Sequence, residues 1–292
     1  FKIINFTNIR INYLDRKNLI NKFNIISKNG NYLLKGPSLN ADHFIEKWIS
    51  SDDEFKLFKK NFTLKVQIDE LFLDKPNLLN NFEGNLTFVN NEIIDGNLSG
   101  YFSKNEKLNL TIKSTHSEKI TTLFLDRAEP IVKRYKFIKG FTDGKLDFYS
   151  SKKDNESISK IKIYNFKLKD LPALTKLLTL ASLQGIADLL SGEGISFDEF
   201  EMNFRNKENV MTIDEIYAIG PAISILMNGY VEKNKLISLR GTLVPATTIN
   251  KAIGSIPILG QILVGKKTGE GVFGVSFNIK GSPKILETTV NP

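Results

Sequence analysis

The chain has 292 residues, 41% of them hydrophobic, 25% charged and 10% aromatic, with 40 basic against 32 acidic side chains and a formal charge of +8. This composition supplies enough apolar mass for a core and excludes a mainly disordered, collagen-like or disulfide-stapled chain; without cysteine, thiolate metal sites and thiol catalysis are excluded too. The positive balance suits phosphate-bearing partners. The basic residues are spread among acids, however, and clusters such as Lys59-Lys60 or Lys133-Arg134 are too short for a nucleic-acid tail, so no nucleic-acid partner is expected. No run approaches the ~18 apolar residues of a membrane span, and the opening at Phe1, inside strand-like sequence, reads as an excised piece of a longer protein.

In chain order, residues 41–59 carry Phe44, Trp48, Phe55 and Phe58 among charges behind a possible Asn40 cap, which predicts a helix. Strict alternation follows: Phe62, Leu64, Val66 and Ile68 against Thr63, Lys65, Gln67 and Asp69, then Leu108, Leu110 and Ile112 against Lys107, Asn109, Thr111 and Lys113. Residues 121–135 are predicted helical, broken near Pro130. Leu146 and Phe148 resume the alternation, and in 161–168 its phase slips at Tyr164-Asn165, which suggests a bulge. Residues 171–190 predict the strongest helix, with Asp170 as cap, Pro172 in the first turn and Gly192 after the end. Phe200, Met202 and Phe204, then Ile223, Ile225 and Met227, then Ile237, Leu239 and Leu243, and last Phe273, Val275, Phe277 and Ile279 complete the alternating set. Segment 245–265, punctuated by Pro245, Gly254, Pro257, Gly260 and Gly265, predicts a broken helix.

About a dozen strands, joined by turns such as Asn90-Asn91, Asp143-Gly144 and Glu232 to Lys235, make the chain mainly β. One polar face per strand predicts antiparallel pairing with that face in water. A soft boundary falls near 170, giving 1–169 as an N-terminal part and 170–292 as a C-terminal region of the same elongated sheet.

Few residues carry chemistry. His43 and His116 stand apart without ligand partners, and the pairs Asp198-Glu199 and Asp214-Glu215, like Asp52-Asp53-Glu54, read as solvated edges and caps. Gly260 to Lys266 fits G-x-x-x-x-G-K, but Lys267 stands where Mg²⁺ needs Ser or Thr and the preceding strand is Pro-broken. No enzyme, metal or cofactor is expected. The alternating apolar residues either close on themselves as a packed core or line an open groove for acyl chains, and periodicity alone favours the packed core.

The ordered run Leu180 to Gly185 (LASLQG), Gly192 to Asp198 (GEGISFD), Gly220 to Ala222 (GPA), Arg240 to Pro245 (RGTLVP), Ile256 to Gly260 (IPILG), Gly269 to Phe273 (GEGVF) and Val290 to Pro292 (VNP) resembles the C-terminal region of AsmA-like proteins of the YhdP type. The resemblance is strongest over 160–292 and weaker before it. It implies a long curled antiparallel sheet forming an apolar groove with a few short helices, notably about 171–190 and 245–265. It implies a non-enzymatic, periplasmic lipid-transfer conduit segment that carries phospholipid between inner and outer membrane. The anchor in the inner membrane of a Gram-negative bacterium, absent from this piece, and possible envelope protein partners at the ends are implied with it. The expected lining is Phe62, Leu64, Val66, Ile68, Leu108, Leu110, Ile112, Leu146, Phe148, Phe200, Met202, Phe204, Ile223, Ile225, Met227, Phe273, Val275, Phe277 and Ile279. The competing expectation is an envelope assembly or scaffold protein with a closed β core and no lipid cargo.

Overall fold

The alternating sequence folds as strand almost throughout. A computed structural model describes residues 6–50, 61–90, 92–134, 140–245, 274–283 and 285–291. Its strands are β1 (Asn8–Leu14), β2 (Ile20–Lys28), β3 (Asn31–Asn40), β4 (Phe62–Phe72), β5 (Leu78–Val89), β6 (Glu92–Ser103), β7 (Glu106–Ser114), β8 (Lys119–Leu125), β9 (Thr142–Lys153), β10 (Glu156–Leu168), β11 (Ile195–Lys207), β12 (Val210–Ile219), β13 (Ile223–Glu232), β14 (Leu236–Pro245), β15 (Val275–Ser282) and β16 (Ile285–Asn291). The helices are α1 (Asp42–Ser50), α2 (Glu129–Val132), α3 (Pro172–Leu180) and α4 (Gln184–Ser191). Each strand neighbours the next in the chain, and the sheet is open, β1 and β16 having one neighbour each. The architecture is mainly β, as the alternation predicts.

The expected antiparallel order has one exception. β3 and β4 pair in parallel, Leu34 facing Val66 and Gly36 facing Ile68. A hairpin cannot reach a parallel neighbour, so the connection from Asn40 to Phe62 has to return along the strand length, and it carries α1. Asn40 Oδ1 accepts the Asp42 N–H at 3.0 Å just ahead of that helix, as the sequence suggested. Residues 51–59 of the predicted helix lie outside the described residues.

Two compact units divide the chain, one holding β1–β8 with Leu146–Lys153 of β9, the other running from Asp154 onward and including residues 140–145. In the first unit the deepest apolar residues gather at one end of the strands. Leu73, Leu79, Leu125 and Ala128 are fully shielded there, beside Pro130 and Val132 of α2. The predicted helix 121–135 shrinks to that four-residue turn. Residues 119–125 are strand instead, because the two Thr residues at 121 and 122 and the β-branched Ile120 fit a pleated surface better than a helix.

In the second unit the predicted helix 171–190 is two helices. α3 closes with the Ser182 N–H on Thr179 O and the Leu183 N–H on Leu178 O, Ser182 standing left-handed at φ 60°. This double bond pattern ends a helix and redirects the chain. One continuous helix would put Leu178 and Leu189 on the same buried stripe, but Leu178 is fully buried while Leu189 is 47% exposed, because α4 restarts after the break and buries Ala187 and Leu190 instead. Asp170 does not cap α3. It sits at φ 52°, its N–H bound to Leu190 O at 3.1 Å, and Leu171 takes the cap position with no side-chain bond. α4 packs on β11 and α3 on β16, five strands further along. Five strand spacings in a flat sheet amount to ~24 Å; the paired helices span them by capping one end of a curled sheet. Segment 246–265, predicted as a broken helix, lies outside the described residues, while Pro245 ends β14.

The phase slip in β10 has a different cause from the expected bulge. Tyr164 faces Glu199 and Phe166 faces Phe197, so the register is unchanged across Asn165. Asn165 is left-handed (φ 52°), a conformation Asn tolerates, and it turns the strand so that Ile163 and Phe166 are both buried. Asn81 (φ 51°) is left-handed in β5 too, where the register holds towards β4 but shifts towards β6 between Asn80 and Glu83. Asp143-Gly144, expected as a hairpin turn, is left-handed at both residues but lies inside β9, whereas Glu232 to Lys235 does form a hairpin turn.

Candidate functional site

Side chains directly opposite one another in neighbouring strands share a face, so the register converts alternation into rows that cross the sheet. In the first unit one row runs Ile9, Ile25, Leu34, Val66, Gly84, Leu98, Leu110, Leu123, Phe148, one residue from each of nine strands. Gly84 is the one member without a side chain. Its φ is 148°, and a Cβ there would lie 1.8 Å from Asn97 O, so the close approach of β5 and β6 requires glycine. Predicted Phe62, Leu64 and Ile68 fall on this face opposite Phe88, Leu86 and Phe82, while Leu108 and Leu146 flank Leu125 and Ile112 faces Thr121.

The second unit repeats the pattern. Ile163, Phe200, Ala218, Ile225, Leu243 and Val275 form one row; Ile161, Met202, Ile216, Met227, Gly241, Phe277 and Val290 form the next. Phe204 and Ile279 belong to a third, with Ile213 and Leu239 between them. Ile223, fully buried, faces Pro245. Every predicted lining residue in the described range therefore falls on one face of its unit; Phe273 lies outside that range. The partners expected to point away do so, and Lys65 and Asn278 are exposed.

Burial is what periodicity leaves undecided. Val275 and Phe277 are buried beside the helix-capped end, Phe277 being 2% exposed, so they belong to a packed floor. Ile225 and Met227, in the same rows as Val275 and Phe277, are half-buried, as are Ile279 and, in the first unit, Leu64 and Phe148. Among the described residues no second sheet lies against either face.

The opposite face of the second unit holds an ionic cluster that the sequence reading missed. Glu201, 8% exposed at its side chain, receives Lys160 Nζ at 2.7 Å, Lys162 Nζ at 2.7 Å, Asn203 Nδ2 at 2.8 Å and Tyr217 Oη at 3.0 Å. Tyr217 Oη also lies 3.1 Å from Glu199 Oε1, so its single proton is shared between the two carboxylates. The signal was present: Lys160 and Lys162 share one parity in β10, Glu199 and Glu201 one parity in β11, each opposite the apolar set. Burial pushes the Glu201 carboxyl up, but these donors outweigh it and hold it at about 2. Burial and the two carboxylates push the Tyr217 hydroxyl up in turn. A depressed carboxyl stabilises the fold above its unfolded value of 4.5, and that contribution fades as pH falls towards 2. Wild-type protein should therefore lose about 3 kcal/mol more than Glu201→Gln between pH 6 and pH 2, read from urea midpoints.

His43 and His116 are exposed, and Asp214 pairs with Arg205 at 2.7 Å. Among the described residues no group of His, Cys, Asp or Glu is placed to hold a metal ion, and no helix is long and apolar enough to cross a membrane. Compared with protein-family models, with curated proteins and with solved structures, the chain gives no match.

Proposed function

We propose that the apolar sheet face of each unit carries acyl chains, and that this chain is a non-enzymatic segment of a phospholipid conduit. The observation behind this reading is the set of apolar rows that cross every strand of a unit while members such as Leu64, Phe148, Met227 and Ile279 remain half-exposed. A packed core would bring such side chains to near-complete burial against a second layer. Acyl chains would supply that layer, each CH₂ removed from water contributing ~0.8 kcal/mol. Rows of near-equivalent apolar sites, repeated strand after strand, let a chain slide without a deep trap. The sequence resemblance to AsmA-like proteins fits the same role and carries with it a periplasmic location between two membranes and an inner-membrane anchor.

The second reading, a scaffold with a closed core, draws on the floor residues: Ile223, Leu243, Val275 and Phe277 are as buried as any core. Lipid extraction separates the two. The purified chain is expected to yield phospholipid on solvent extraction and native mass spectrometry, and after delipidation to take up a fluorescent fatty acyl probe. Folded protein that neither yields lipid nor takes up the probe rejects the conduit in favour of the scaffold.

A further inference from the structure

The hairpin of β1 and β2 departs from the alternation at its closed end. Leu14 and Ile20 face each other there. Each stands five positions from the apolar row that holds Ile9 and Ile25, an odd interval, so the pair lies on the opposite face, where polar residues belong. Both side chains are open to solvent, Leu14 at 61% and Ile20 at 57%, and neighbouring Tyr13 is 52% exposed. One step back on the same face stand Asn12 and Lys22, and one step further Arg10 and Asn24. Same-face residues recur every second position, so these rows follow at intervals of ~7 Å. The patch is separate from the acyl face.

Charge on this hairpin is one-sided. From Asn8 to Lys28 five residues are basic and one, Asp15, is acidic. Asp15 is consumed by the turn. Its Oδ2 accepts Asn40 Nδ2 at 2.6 Å and Asn21 Nδ2 at 3.3 Å, and its Oδ1 accepts the Lys17 and Leu19 N–H groups at 2.8 and 3.0 Å. These bonds, that from Asn40 foremost, hold its carboxyl below the usual range and therefore ionised but satisfied. Lys17 is engaged by Asp42. Arg10, Arg16 and Lys22 are exposed, and none of them meets an acid among the described residues. The turn itself is fixed, the Asp15 N–H binding Leu19 O at 3.1 Å and the Asn18 N–H binding Asp15 O at 3.0 Å. An apolar tip held rigidly ahead of unpaired cations complements a bilayer surface. Apolar side chains of an interfacial element reach ~5–10 Å into the headgroup and acyl boundary, which leaves cations ~7 Å behind them at the phosphates. Tyrosine favours the same boundary.

We infer that the closed end of the β1–β2 hairpin docks on the surface of an anionic bilayer, Leu14, Ile20 and Tyr13 entering the interface while Arg10, Arg16 and Lys22 meet the phosphates. Sedimentation with vesicles measures the docking. The chain is expected to bind mixed phosphatidylglycerol and phosphatidylcholine vesicles, and pure phosphatidylcholine at least ~30-fold more weakly. Leu14→Ser/Ile20→Ser is expected to cut binding at least ~10-fold with an unchanged circular dichroism spectrum. Arg10→Gln/Arg16→Gln/Lys22→Gln is expected to bring anionic vesicles down to the neutral level. The chain has no cysteine, so Ile20→Cys and Asn109→Cys each accept a single nitroxide. On vesicles the first label is expected to lose contact with a water-soluble relaxant, while the second keeps it. Met227→Glu should bind vesicles as wild type does, which separates docking from acyl carriage. Docking is overturned if wild type binds no vesicles, if either multiple variant binds as tightly as wild type, or if the label at 20 stays in water. Loss of vesicle binding in folded Met227→Glu overturns it by moving the contact to the acyl face. A dimer, formed without vesicles and dissociated by Leu14→Ser/Ile20→Ser, overturns it by assigning the patch to a second copy of the chain.

Discussion

Phe277→Glu is expected to unfold the second unit, whereas Met227→Glu leaves it folded and strips its acyl cargo. The two residues lie in one cross-strand row, separated by Gly241. The Phe277 ring lies over that glycine, its Cζ 2.7 Å from where a Cβ would stand. No cation belongs to the row, so a carboxylate at 277 would be buried and unpaired. Losing the ring costs about 3–5 kcal/mol, and burying the charge adds several more, which together match the whole stability of an ordinary domain. Met227 is half-buried, so a carboxylate there keeps water on one side and costs about 1–2 kcal/mol, but it breaks the oily row. Circular dichroism reads the first result and native mass spectrometry the second. A folded Phe277→Glu protein would deny the packed floor; undiminished lipid in folded Met227→Glu would reject this face as the acyl surface.

The contrast also marks what a sequence can and cannot convey here. Period-2 alternation assigns Phe277 and Met227 to the same face, because parity within a strand is a local property. Their different burial depends on which side chains cover each of them in space, which parity within a strand does not carry. The same limit applies to 20–28 and 31–40. Asn24 and Pro37 interrupt the alternation, the register shifts between Lys22 and Asn24, and Ile25 and Leu34 join the apolar row through pairing alone. Left-handed Asn165 turns the chain over without a change of register towards β11, so β10 looks irregular in sequence while this pairing remains regular in space; at Asn81 the β5–β4 register holds but the β5–β6 register shifts. The helix 171–190 was legible as helix-forming sequence. Its division was not, since Ser182 does in the left-handed position what a glycine would have announced.

Asp42→Ala is expected to cost about 3 kcal/mol, far more than removal of its exposed partner Lys17. Asp42 anchors a polar knot at the buried end of the first unit. Arg134 NH1 reaches its Oδ1 at 2.7 Å and its backbone carbonyl at 3.3 Å, while other Arg134 nitrogens donate to Leu73 O and, at 3.0 Å, Pro130 O. Lys17 binds the second carboxylate oxygen. Asn40, whose Oδ1 receives the Asp42 N–H, donates its side-chain amide to Asp15 at 2.6 Å and its backbone N–H to buried Asn21 Oδ1 at 2.8 Å. Burial pushes the Asp42 carboxyl up, and the bonds from Lys17 and Arg134 more than reverse it, so its contribution is present above the unfolded value of 3.8 and fades below. The decisive asymmetry is exposure: the Lys17 side chain is 53% exposed and can turn to water, while Arg134 is 9% exposed and would be left as an uncompensated buried cation. Lys17→Ala should therefore cost under ~1 kcal/mol. Arg134→Met combined with Asp42→Ala should recover part of the loss, since exchanging a whole buried ion pair for apolar volume is far cheaper than orphaning one partner. Urea midpoints of the four proteins decide it. If Asp42→Ala costs no more than Lys17→Ala, the pair with Arg134 does not hold α1, the β4–β5 turn and α2 together at the dry end of the apolar face.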